Sequence, residues 1–223
     1  MSLLLNIHTA LESASICLSS DENVIAYAEN SEQQEHASWL HVAIATMLKE
    51  NNFSAKDLNA VAVTIGPGSY TGLRVGLSAA KGFCYALNIP LIATGTLPLI
   101  ALAAKEEANS LICPLIDARR MEVFTSLYNL ELKELMAPCS MVLNPQSFEE
   151  FLVDDKILFC GNGTKKLKAI LSHPNASFSD TTMTAQHLSQ KSYQLYREKK
   201  FYDLAYTEPL YIKEFYSPPR KNS

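Results

Sequence analysis

The chain has 223 residues, is 48% hydrophobic and 19% charged, and carries a formal net charge of −4. That length buries a large core, as one big domain or two small ones. The acidic balance argues against a free-standing nucleic-acid binder, which presents a basic face. Five cysteines (Cys17, Cys84, Cys113, Cys139, Cys160) are odd in number and far apart, with no Cys-x-x-Cys pair. Neither a zinc knuckle nor a disulfide framework is indicated, and a reduced, cytoplasmic setting is expected.

No basic n-region opens the chain and polar residues begin at Asn6, so no signal peptide is expected. The first predicted elements are strands at 3–8, 13–19 and 24–29, an antiparallel meander with a turn at Asp21-Glu22-Asn23. A helix from about Gln34 to Asn51 follows, with Ala37, Leu40, Ile44, Met47 and Leu48 at helical spacing. Strand 60–65 then feeds Gly66-Pro67-Gly68-Ser69-Tyr70-Thr71-Gly72-Leu73-Arg74-Val75-Gly76, and a helix runs on to about Leu87. From Cys84 to Ala104 no charge occurs, but Asn88, Pro90, Gly95 and Pro98 interrupt the stretch. A spanning helix needs about 20 unbroken apolar residues, so this region reads as strand 91–94 and helix 97–108, and no membrane contact is expected.

A second half opens with strand 111–116, a tight turn at Asp117-Ala118-Arg119-Arg120 and strand 122–128. Helix 145–153, strand 157–160, a turn at Gly161-Asn162-Gly163 and helix 164–172 come next. A last helix starts near Ala185, and residues 217–223 read as a loose tail. The basic runs Lys165-Lys166-Leu167-Lys168 and Arg220-Lys221 read as solvated surface and tail. The expected division is 1–108 and 109–223, each half a mixed α/β unit.

The glycine segment places free N–H groups and a helix dipole together, which suits an anion. A P-loop needs Gly-x4-Gly-Lys-Ser/Thr, and no Lys follows a glycine at that spacing. The dinucleotide fingerprint needs glycine at 71, where Thr71 stands, and an acidic residue about 20 positions on. Both readings fail. What stays open is close packing, phosphate cradling by the turn residues Gly66, Gly68, Ser69 and Thr71, or a docking face. Gly72, Gly76, Ala79, Ala80 and Phe83 form a small-residue stripe that permits close approach of another helix.

The segment from Gly66 to Gly76, with Ala80-Lys81-Gly82 beyond it, resembles the signature of the TsaB (YeaZ) family of tRNA threonylcarbamoyladenosine synthesis. The likeness extends to Glu35-His36-Ala37, to Asp117-Ala118-Arg119-Arg120-Met121-Glu122-Val123-Phe124, to Gly161-Asn162-Gly163 and to Glu208-Pro209-Leu210-Tyr211-Ile212-Lys213. It implies an α/β fold of two ribonuclease-H-like subdomains of actin/Hsp70/sugar-kinase type, with mixed sheets flanked by helices. It also implies a non-catalytic subunit that pairs with the catalytic sister TsaD as a heterodimer. A TsaE-like ATPase is the usual third partner, and a homodimer forms when the partner is missing. That assembly threonylcarbamoylates the adenosine beside the anticodon in tRNAs reading codons that begin with A, and tRNA is met only through it.

The sister carries a His-x-x-x-His pair, whose positions fall here on Thr96 and Ile100, neither an imidazole. His36 and His41 are five apart, roughly 140° round a helix at ~100° per residue, so a shared metal is not expected. His8 stands where this fold class often has an Asp, and an imidazole does not replace a carboxylate for Mg²⁺. No catalytic residue, metal or cofactor is therefore expected. The alternative is an ATP-dependent phosphotransferase or metallopeptidase of the same fold class. The expected docking face is His36, Trp39, Leu40 and Ala43 of the first helix with Gly72, Gly76, Ala79, Ala80 and Phe83 of the second. For Trp39, internal burial is the competing reading. On this reading, leucine at Gly76 abolishes pairing without unfolding the chain.

Overall fold

The structure is a computed structural model that describes residues 2–32 and 35–213. The expected tail at 217–223, the Arg220-Lys221 pair and the helix start at Gln34 lie outside the described residues. The first sheet has strands β1 (Leu3–His8), β2 (Ala14–Ser20), β3 (Asn23–Asn30), β4 (Ala60–Gly66) and β5 (Leu91–Gly95), ordered β3-β2-β1-β4-β5. β1 pairs antiparallel with β2 and parallel with β4, and β4 runs parallel to β5. Helices α1 (His36–Glu50), α2 (Tyr70–Leu87) and α3 (Thr96–Ala104) separate these strands, α3 ending in a 3-10 turn at 105–107.

β1 is buried along its whole length because both of its faces are covered, which is why it reads as a nearly unbroken apolar run. Its residues still alternate in direction. Leu3, Leu5 and Ile7 meet Leu40, Ile44 and Met47 of α1 and Leu77 and Ala80 of α2. Leu4 joins a second cluster with Leu97 and Ile100 of α3. That cluster also takes in Ile112, Ile116 and Leu158 of the second sheet, so it is the core shared by the two halves.

The second sheet repeats the topology with β6 (Leu111–Asp117), β7 (Glu122–Tyr128), β8 (Glu134–Val142), β9 (Ile157–Cys160) and β10 (Ala176–Phe178), ordered β10-β9-β6-β7-β8. Two mixed five-stranded sheets of one order, flanked by helices, form the α/β architecture of ribonuclease-H-like halves. Two strands escaped the sequence reading. β8 is an edge strand with Leu135 and Val142 exposed and Pro138 inside it, which edge strands tolerate and which masks their pattern. β10 has only three residues. Helices α4 (Glu149–Leu152) and α5 (Thr164–Lys168) are shorter than expected. Before α4, Phe148 takes a left-handed conformation (φ 67°), which separates the helix from the turn at 144–147.

The last helix, α6 (Ala185–Arg197), follows the second sheet in sequence but packs against β1 and β2 of the first. Two polar contacts hold it there. Ala185 N donates to Ser15 Oγ (2.9 Å) and Ser192 Oγ donates to Asn6 Oδ1 (2.5 Å). Asn6, fully buried in β1, also donates through Nδ2 to Cys17 O (3.2 Å) and Ser19 Oγ (3.0 Å). A buried amide that satisfies both strand and helix is costly to remove, at about 1–3 kcal/mol for each group left unpaired. Asn6→Ala is therefore expected to lower stability in urea unfolding by about 2–4 kcal/mol, with the slope unchanged.

Candidate functional site

β4 ends at Gly66, which has a positive φ of 122°, and the Gly66–Pro67 peptide is cis. Ser69 caps α2, its Oγ accepting from Gly72 N (3.2 Å). The turn does not stand open. Ser69 N donates to Ala10 O (2.7 Å), and Thr9 Oγ1 donates to Gly72 O (2.7 Å). A Cβ on Gly68 would overlap Ala10 O, one on Gly72 would overlap Thr9 O, and one on Gly76 would overlap Thr9 Oγ1. These glycines admit the turn after β1 against the helix backbone. Close internal packing is thus their structural role, and Ser69 N is already occupied.

The small-residue stripe divides between two faces of α2. Gly72, Gly76 and Ala80, four apart, are buried against the strand layer, as are Leu40 and His36 of α1. Ala79 and Phe83 turn instead toward α1 and line a groove of about 700 Å³ with Ala37, His41, Val75, Ser78, Gly82 and Ala86. Trp39 and Ala43 are half-buried against the first core cluster and do not line the groove. The expectation for Gly76 is therefore corrected, because its missing Cβ faces Thr9 and not solvent. Gly76→Leu is expected to abolish folding of the isolated chain, read by circular dichroism. Gly82→Leu is expected to melt within about 0.5–1 kcal/mol of the parent, since a Cβ there meets nothing within 4 Å.

On the other side of the α2 N-terminus lies a cleft of about 550 Å³ between the halves. Glu12, Gly68, Ser69 and Thr71 form one wall, and Asp117, Arg119 and Asn162 the other. Asn162 Nδ2 reaches Glu12 Oε1 at 3.5 Å. Asp117 accepts from Lys166 Nζ (2.7 Å) and caps Arg119 N (2.6 Å). Glu122 accepts from Lys213 Nζ at 2.8 and 2.9 Å, which holds its carboxyl below the usual range. The turn Asp117–Arg120 is therefore held by ion pairs, and its two arginines have positive φ.

The histidines form an unexpected group. His8 is fully buried, its Nδ1 lies 3.2 Å from Thr64 Oγ1, and its Nε2 has no partner among the described residues. Burial, then repulsion from His36 and His187, pushes its pKa down to about 3. Burial also lowers His36 and His187. These positions are far apart in sequence, and only the meeting of β1, α1 and α6 joins them. His41 is exposed while His36 is buried, so they occupy different faces of α1. Among the described residues no three His, Cys, Asp or Glu side chains converge as metal ligands. Thr96 and Ile100 lie in the core at 0% and 1% exposure. Four cysteines are buried, and burial pushes the thiols of Cys17 and Cys84 up to about 11 and that of Cys113 up to about 12.

His8 gives the stability a direction in pH. The unfolded imidazole binds its proton near 6.5 and the folded one near 3, so acid favours unfolding. The contribution of His8 is complete above pH 6.5 and falls by about 1.4 kcal/mol per pH unit on the way down toward pH 3. Denaturant unfolding at stepped pH is expected to show this slope, and His8→Asn to flatten it.

Comparison with known proteins gives a consistent picture. The family model for TsaD, tRNA N6-adenosine threonylcarbamoyltransferase, matches residues 23–207. A Bacillus subtilis (strain 168) relative, "tRNA threonylcarbamoyladenosine biosynthesis protein TsaB", is 29% identical over 215 residues, covering 94% of this chain and 93% of the relative. A tRNA N6-adenosine threonylcarbamoyltransferase of Streptococcus pyogenes (strain Manfredo) is 45% identical over 87 residues, only 37% of this chain and 25% of that enzyme. The solved structure of YeaZ from Pseudomonas aeruginosa has the same fold, with a TM-score of 0.78 at 24% identity, covering 95% of this chain and 100% of that one. No helix among the described residues is long and apolar enough to cross a membrane.

Proposed function

The chain belongs to the TsaD family, tRNA N6-adenosine threonylcarbamoyltransferase, and on that premise we propose that it is a non-catalytic member serving tRNA threonylcarbamoyladenosine biosynthesis in the cytoplasm. Thr96 and Ile100 carry this reading. By the resemblance to the family they fall at the positions of the catalytic sister's histidine pair, and both are buried in α3. The near full-length match to a relative named TsaB supports the same role. Catalysis then belongs to a TsaD-like partner, which transfers the threonylcarbamoyl group to the adenosine beside the anticodon of tRNAs reading codons that begin with A.

The docking surface in this reading is the groove between α1 and α2. Its floor is apolar and its walls are small: Ala37, Ala79, Gly82 and Ala86 admit a partner helix closely. Phe83 within the groove and the exposed Val42 and Tyr85 beside it supply anchors. The same surface serves a homodimer when the partner is missing, and a TsaE-like ATPase joins the assembled pair. The contact residues are then Ala37, His41, Ala79 and Phe83, while Leu40, Gly72, Gly76 and Ala80 support them from beneath.

Co-purification with a TsaD-like partner tests the reading. The parent chain is expected to give a defined heterodimer, and Gly82→Leu to lose it while remaining folded. Turnover of ATP, or peptide hydrolysis, by the isolated chain would overturn the non-catalytic assignment. An intact heterodimer with Gly82→Leu would move the docking surface elsewhere.

A further inference from the structure

Beyond α6 the chain does not end where it is; it crosses the molecule again. Tyr202 N donates to Leu91 O (2.9 Å), so the return starts on the first sheet. Lys81 Nζ of α2 donates to Ala205 O (3.3 Å). Leu210 N donates to Ile65 O (2.7 Å) at the end of β4. Gly66 lies beneath this contact, where a Cβ would stand 2.6 Å from Leu210 O. Arg74 Nε donates to Tyr211 Oη (3.0 Å), with the guanidinium 4.0 Å from the centre of the Tyr70 ring. These four hydrogen bonds bind the segment to the first half.

The next two residues pass to the second half. Ile212 packs on the core cluster that both sheets share. Lys213 Nζ donates to both oxygens of Glu122, the first residue of β7. Glu122 is itself tied to Ser140 Oγ on β8, and its carbonyl accepts from Lys166 Nζ (3.0 Å) of α5. Lys213 therefore grips a point that three elements of the second half hold in place. The walls of the cleft, with Thr71 on one side and Asp117 and Arg119 on the other, belong to the two parts so joined.

From this path we propose that residues 202–213 are a strap that sets the opening angle between the two halves, with Lys213–Glu122 as its fastening. An exposed ion pair adds little to stability, and Lys213 is half-exposed. The pair gains its leverage from position, since one side is anchored on β4 and α2 and the other on β7. The width of the cleft is then built into the chain and does not wait for a ligand. This property is independent of pairing with a partner.

The test uses the full chain with Cys139→Ser, because Cys17, Cys84, Cys113 and Cys160 are buried and escape labelling. Spin labels at Thr71→Cys and Lys165→Cys report the distance across the cleft by double electron–electron resonance. The labelled parent is expected to give one narrow distance. Lys213→Met, which keeps the stem and loses the charge, is expected to add a longer, broad population. Lys213→Arg is expected to restore the narrow one, and 1 M salt to broaden the parent. Leu210→Pro removes the N–H that grips Ile65 O and is expected to act like Lys213→Met. A melting temperature within a few degrees of the parent shows that each variant is folded. An unchanged narrow distance in both Lys213→Met and Leu210→Pro would overturn the strap, and failure of Lys213→Arg to restore it would overturn the ion pair as its fastening.

Discussion

The contact between the Thr9–Ala10 turn and the glycine face of α2 is the constraint on which the other features depend. Backbone carbonyls there press on a helix that has no Cβ to receive them. The approach is sealed by Ser69 N on Ala10 O and by Thr9 Oγ1 on Gly72 O. With that face fixed inward, the rotation of α2 is set. Val75, Ala79 and Phe83 must then face α1 and make the groove. Ser69 and Thr71 must face the cleft, and Glu12, two residues past Ala10, must stand on its wall. A single close approach thus orients both surfaces on which a function can be built.

The halves are joined more closely than their matching topologies suggest. α3, from the first half, packs on β6 and β7, and α6, which follows the second sheet, packs on β1 and β2. The two helices lie between the sheets and share one apolar cluster. Such an exchange ties the halves together, because Asn6 Oδ1 and Ser15 Oγ of the first sheet both bond to α6. The same convergence places His36 and His187 close enough to His8 to repel it when charged. At the end of the first strand the chain buries His8, and that burial keeps the imidazole neutral at neutral pH.

The relation to the transferase family has a physical form. The 87 residues that align at 45% identity with the Streptococcus pyogenes enzyme show a shared frame, and in this chain the start of α3 is buried. Ile100 joins the apolar cluster shared by the two sheets, and Thr96 is equally withdrawn from solvent, its hydroxyl without a partner among the described residues.

The sequence by itself was enough for the fold class, the order of most elements and the family, because these rest on local periodicity and on motifs in order. The apolar runs of β1, β4 and β6, the meander and the strand–glycine–helix unit are all visible in one pass along the chain. The direction of the glycine face was not visible. Positions 72, 76, 79, 80 and 83 look like one stripe at helical spacing, yet steps of three and four residues separate two neighbouring faces of α2, and only the Thr9 contact decides which is buried. β8 stayed hidden because an edge strand with Pro138 need not alternate. The histidine group, the return of α6 and the crossing from Ile65 to Glu122 join residues up to 186 positions apart, a separation over which sequence patterns carry no signal and only the closed tertiary structure brings partners together.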